Sequence, residues 1–113
     1  MTHDCQLFVY GTLRNSDLVH ALTARRFAGE AAVLLDFEKI EPAGGYPYAL
    51  PRHGASVDGL LLRGLDEASL TALDAYEEEG RLYRREQVVV RLPAGHTVSC
   101  FTYVGIAAAH APA

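Results

Sequence analysis

Gln6-Leu7-Phe8-Val9-Tyr10-Gly11-Thr12-Leu13-Arg14 is the stretch on which the reading of this chain turns. Residues 6–10 are rich in strand formers and stop at a glycine, so they read as a buried first strand ending in a tight turn. Asn15-Ser16-Asp17 follows with side chains that cap helix N-termini. Leu18, Ala21, Leu22 and Arg25 then recur at offsets of three, four and seven, one face of a short helix whose far end Arg25 covers. Glycine lets a strand end turn sharply, and successive N–H groups in such a turn form a nest for anions. The N-terminus of the following helix would add to that field. A ligand carboxylate or a developing oxyanion suits this place, and an ordinary strand–turn–helix connection explains it equally. The spacing is not that of a phosphate-binding P-loop or a dinucleotide fingerprint.

Further along, residues 31–40 read as a second extended region, bent or broken near Asp36. Ala43-Gly44-Gly45-Tyr46-Pro47 is a loop that forms either a pocket wall or plain surface. Residues 48–50 read as a short edge strand before Pro51, 52–56 as a turn region, and 57–62 as an apolar strand interrupted by Gly59. Asp66 is an N-cap candidate, Leu70, Leu73 and Tyr76 follow at helical spacing, and Gly80 is a natural stop. Residues 83–92 partly alternate, Pro93-Ala94-Gly95-His96 is a tight turn, and residues 97–104 close a hairpin. Five to seven strands with two short helices and no regular strand–helix alternation define an α+β domain with a curled sheet. The expected domain covers 1–106, with a frayed tail over 107–113.

The chain has 113 residues, enough for one core, with a net charge of -4. No run of Lys and Arg exceeds two residues, so the electrostatic footprint of a nucleic-acid binder is missing. Met1-Thr2-His3-Asp4 lacks the basic start and apolar run of an export signal, and no apolar stretch is long enough to span a bilayer. A cytoplasmic protein is expected; a bridge between Cys5 and Cys100 is geometrically possible, and in a reducing compartment two buried thiols are the favoured reading. The scattered histidines and cysteines match no metal-binding spacing. Ser16, Ser56, Ser69 and Ser99 lie in no nucleophile-elbow context.

Glu77 is the most informative single position. It follows Leu70 by seven residues and Leu73 by four, which returns it to the apolar face at the end of the second helix. Glu67, Asp74 and Glu78 fall on the opposite face and should be solvated. A carboxylate on an apolar stripe is costly unless partnered, and desolvation raises its pKa toward the range of a useful base. The competing reading is a helix that frays after Tyr76 and leaves Glu77 in water. Tyr83 and Tyr103, in the late strands, could point hydroxyls into a cavity or simply pack.

Taken together, these segments resemble the gamma-glutamylcyclotransferase-like family. Phe8-Val9-Tyr10-Gly11-Thr12-Leu13-Arg14 is similar to its opening VYGTL signature. Leu73-Asp74-Ala75-Tyr76-Glu77 resembles its LDxxE motif, and Tyr83-Arg84-Arg85 the Y-x-R that follows. Gly45-Tyr46-Pro47, Val57-Asp58-Gly59 and Phe101-Thr102-Tyr103-Val104 resemble its central and closing motifs in the same order. The resemblance implies a small mixed β-barrel with flanking helices. It makes Glu77 the general acid/base, with Tyr10, Gly11, Thr12, Leu13, Tyr83 and Tyr103 around the substrate. The implied reaction closes a gamma-glutamyl amine or amide into 5-oxoproline and a free amine, without metal or organic cofactor. One departure matters: many members place glycine directly after the glutamate, whereas here Glu78 and Glu79 intervene before Gly80 and stand as rival bases. The alternatives are a non-catalytic small-molecule binding protein on the same fold, or an amide hydrolase releasing glutamate. The amine half of the substrate and the oligomeric state stay open at this level.

Overall fold

The computed structural model describes residues 5–106; the tail expected over 107–113 lies outside them. The elements are β1 (Cys5–Val9), a 3-10 turn (Thr12–Arg14), α1 (Ser16–Thr23), β2 (Gly29–Ile40), β3 (Tyr48–Leu65), α2 (Glu67–Glu77), β4 (Tyr83–Arg91) and β5 (Thr97–Gly105). The strands form a closed barrel in the order β1-β3-β2-β4-β5. All neighbours pair antiparallel except β1 and β5, which close the barrel in parallel with Leu7 opposite Phe101 and Phe8 opposite Thr102. The sheet is therefore mixed, as the family resemblance implies.

Alternation along the strands sorts the apolar residues into two layers. Phe8, Leu34, Leu61, Val88 and Val90 belong to one buried cluster, which fills the barrel. Leu7, Val9, Leu62, Tyr83 and Tyr103 point the other way, into a cluster completed by Val19 of α1 and Leu70 and Leu73 of α2. Cys100 packs in the first cluster and Cys5 against the second, so the two sulfurs lie on opposite faces of the wall. Burial pushes the Cys100 thiol up to about 11.

Three local expectations are corrected. β3 is one long strand rather than an edge strand, a turn and a second strand. Leu35 pairs with Ser56 and Phe37 with Pro51, so residues 52–55 bulge out opposite Asp36 alone. Asp36 takes a left-handed φ of 63° and its carboxylate accepts the Gly54 N–H at 2.9 Å. Pro51 and Gly54, which read as strand breakers, mark an excursion within a continuing ladder. In α1 the buried residue is Val19, while Ala21 is exposed; Leu18 and Leu22 pack beside Val19. The third correction is at the end of α2, which stops at Glu77 with Glu78 left-handed at φ 52°, two residues before Gly80. At the start of α2, Asp66 stands at the N-cap position and its carboxylate lies 3.2 Å from the Arg25 guanidinium, tying the end of α1 to the start of α2.

Gly59 is fixed by space. A Cβ there would come within 2.4 Å of the Val9 carbonyl oxygen and 2.6 Å of the Phe8 ring. The end of β1 can approach β3 closely only because that atom is missing. Gly59→Ala should therefore destabilise the fold by about 1–3 kcal/mol, the usual cost of overpacking. Urea unfolding of the two proteins checks this, and an unchanged midpoint would show that β1 is not seated so tightly.

Candidate active site

A cavity of about 170 Å³ opens where β1 ends. One wall is the turn Tyr10, Gly11, Thr12 and Leu13. The facing wall is the end of α2, with Tyr76, Glu77 and Glu78. Tyr83 and Tyr103 from β4 and β5 form the back, and Tyr46 and Pro47 of the loop form a side. The residues singled out in the sequence are thus brought together around one space.

In the turn, the Arg14 N–H bonds the Gly11 carbonyl at 3.1 Å. The N–H groups of Gly11, Thr12 and Leu13 precede the first bond that the turn can make, so its geometry leaves them for other acceptors. The leading amides of α1 are a different matter. The Asn15 carboxamide oxygen accepts from Asp17 N at 2.9 Å and Leu18 N at 3.3 Å, which occupies the helix terminus locally. The amides left facing the cavity are therefore those of the turn. A Cβ on Gly11 would lie 3.3 Å from the Pro47 ring, so turn and loop meet directly.

The Glu77 carboxyl is half-buried on the inward side of α2. Burial pushes its pKa up from 4.5 to about 7. No cation and no hydrogen-bond donor pairs with it among the described residues, so nothing offsets the desolvation. The rival carboxylates are engaged elsewhere. Glu78 accepts from the Arg81 guanidinium at 2.8 and 2.5 Å, and Glu79 accepts the Arg85 backbone N–H at 3.3 Å.

The tyrosines line the cavity with their rings while their protons go to other acceptors. Tyr10 donates to the Tyr103 carbonyl and accepts from Ala49 N at 3.0 Å. Tyr83 donates to the Pro47 carbonyl at 2.9 Å, and Tyr103 to Asp74 at 2.6 Å. Burial, with a smaller contribution from nearby Glu77, raises all three phenols, Tyr83 to about 12. They are neutral walls at physiological pH.

Two features escaped the sequence. Asp74 was expected in solvent, yet it is half-buried and receives both Tyr103 and the Arg85 guanidinium, the latter at 2.9 Å. Its partners come from distant strands, and no helical period reports them. Tyr76 was read as part of an apolar stripe. Its hydroxyl lies 3.0 Å from that of Thr12, joining α2 to the turn across the cavity mouth.

A closed mixed barrel of five strands with two helices is the fold of gamma-glutamyl cyclotransferase-like α+β proteins. The chain belongs to the family described as gamma-glutamyl cyclotransferase, AIG2-like, which matches residues 7–112. AIG2-like protein D of Arabidopsis thaliana is 36% identical over 87 residues, covering 76% of this chain and 56% of that protein, so the chain spans little more than half of that relative. A solution structure from Arabidopsis thaliana superposes with a TM-score of 0.81 at 26% identity, over 91% of this chain and 69% of the other. The crystal structure of an AIG2-like protein from Mus musculus gives 0.75 at 26% identity, over 97% and 81%.

The raised pKa has a consequence for stability. Because the folded value, about 7, exceeds the ordinary 4.5, folded protein binds the proton more tightly than unfolded protein. Stability should fall as pH rises through that interval, by about 1–3 kcal/mol in all. Glu77→Gln removes the ionisation and should be more stable than wild type at pH 8, with the gain vanishing at pH 4. Thermal unfolding at the two pH values tests this. An equal difference at both would mean that the carboxyl is not desolvated.

Proposed function

We propose that this chain is a gamma-glutamylcyclotransferase-type enzyme that closes a gamma-glutamyl amine or amide into 5-oxoproline and free amine. The observation that carries the reading is the Glu77 carboxyl, unpaired and raised to about 7, facing the amides of the Gly11–Leu13 turn across one cavity. Residues 1–106 form the catalytic domain in this reading.

The reaction is an intramolecular aminolysis. The substrate's α-amine nitrogen attacks its own γ-carbonyl carbon, forming the ring C–N bond, and the bond to the leaving amine breaks. An α-ammonium has no lone pair and a pKa of about 8, so a proton must first be removed. Glu77, close below that value, accepts it and delivers a proton to the departing nitrogen. The γ-carbonyl oxygen gains negative charge in the attack. The turn amides supply hydrogen bonds either to that oxygen or to the substrate's α-carboxylate. Tyr10, Tyr83 and Tyr103 present ring faces that hold the glutamyl chain folded, with nitrogen near carbon. A cavity of about 170 Å³ suits a group of glutamyl size and leaves the amine half outside.

Two outcomes follow. Glu77→Gln should lower kcat by about 10²- to 10⁴-fold on any gamma-glutamyl compound the wild type turns over. Wild-type kcat should rise with pH through about 7 and level off above it, as Glu77 becomes the free base. A panel of gamma-glutamyl amino acids and amines, assayed for 5-oxoproline, decides. Free glutamate as product would make the protein an amide hydrolase, and binding without turnover, unchanged in Glu77→Gln, would make it a binding module.

A further inference from the structure

The end of α2 is held by one arginine on both sides of Glu77. Arg85 and Tyr103 are directly opposed in the β4–β5 ladder. That register sets their side chains next to each other, and both donate to the same oxygen, Oδ1 of Asp74, at 2.9 and 2.6 Å. Asp74 precedes Glu77 by three residues, close to one helical turn. The Arg85 backbone N–H in turn donates to Glu79, beyond Glu77. The guanidinium rests 4.9 Å above the Phe101 ring, which limits where it can go. The Arg85 and Asp74 side chains are only 27% and 25% exposed, so this ion pair is sheltered from solvent.

We propose that Arg85, Asp74 and Tyr103 are positioning residues that clamp the last turn of α2 to the barrel wall and so keep the Glu77 carboxyl inside the cavity. The proposal rests on the reading of Glu77 as the base, but its geometry does not depend on the reaction. The Glu77 side chain makes no bond among the described residues that would fix the helix end. The chain turns left-handed at Glu78, just past the helix. The Tyr76–Thr12 contact and the Gly80 N–H on the Tyr83 carbonyl flank Glu77. The Asp74 clamp adds the sheltered ion pair without which the last turn can fray and carry Glu77 into water. The clamp also engages the Arg85 guanidinium. With Glu78 on Arg81 and Asp74 on Arg85, neither cation pairs with Glu77. Such a pairing would drag its pKa down and weaken it as a base. The glutamates that follow Glu77 thus act as ties for the helix end.

The groups that share the cavity with Glu77 are Tyr10 just after β1, Tyr83 on β4, Tyr103 on β5, Tyr76 and Glu78 at the end of α2, and Tyr46 on the loop. The tyrosines with raised pKa values stay neutral, and Glu78 is paired, so position and desolvation govern the Glu77 titration.

The test is to titrate the Glu77 carboxyl by carbon-13 NMR in wild type and in Arg85→Gln. Removing a cation acts, by charge alone, to raise a carboxyl's midpoint. Loss of the clamp admits water and lowers it. A fall of about one unit or more from the wild-type midpoint supports the clamp. An unchanged or raised midpoint in folded Arg85→Gln overturns it. If that variant does not fold, Tyr103→Phe takes its place, since it removes one of the two bonds without changing charge and keeps the ring. The same fall is expected there, and no fall overturns the proposal. In an active protein, either variant should lower kcat about tenfold or more with KM changed less than threefold. The NMR midpoint requires no substrate, so a wild type that fails to cyclise anything rejects the enzyme reading while leaving the clamp to be judged by its own measurement.

Discussion

The parallel pairing of β1 with β5 is the constraint from which the rest of the structure follows. It joins the two ends of the described chain through a short register, Leu7 to Phe101 and Phe8 to Thr102. The Thr102 hydroxyl donates to the Phe8 carbonyl at 2.9 Å, and the Tyr10 hydroxyl to the Tyr103 carbonyl. These contacts bridge residues more than ninety apart in sequence, so the closure entropy is borne by the whole intervening chain. What closes the barrel also sets Tyr10 beside Tyr103, and the turn after β1 beside the end of α2. The cavity exists because these ends meet.

Inside that cavity the polar groups are arranged by subtraction. The hydroxyls of Tyr10, Tyr83 and Tyr103 give their protons to acceptors elsewhere: a carbonyl of β5, a carbonyl of the loop and a carboxylate of α2. Each nearby glutamate has an arginine or its amide. Among the described residues lining the cavity, the carboxyl left without a partner is that of Glu77, which shares the space with the turn. Its pKa is raised by desolvation, and neutral walls keep it so.

Much of this was legible in the chain because it is locally encoded. The strand that stops at Gly11, the Asn15 cap, the bend at Asp36 and the inward place of Glu77 all follow from periodicity and from residues with one strong preference. The losses have a common cause. Pro51 and Gly54 read as a break, because the Asp36 side chain that carries the ladder past them is distant in sequence. Asp74 read as solvated, because its partners arrive from β4 and β5 through a register that no single helix reveals. In α1, periodicity chose Ala21 over Val19, and packing against α2 and β1 decided otherwise. The family resemblance reached the barrel closure, which local patterns could not specify.

Tyr83 joins two sides of the cavity. Its hydroxyl holds the Pro47 carbonyl of the loop, while its own carbonyl takes the Gly80 N–H at 2.7 Å, just past the end of α2. The rigid phenol ring fixes how far the loop stands from β4, and the backbone of the same residue fixes the segment after α2. One residue of β4 thus ties both the loop and the segment after α2 to the same point on the barrel wall.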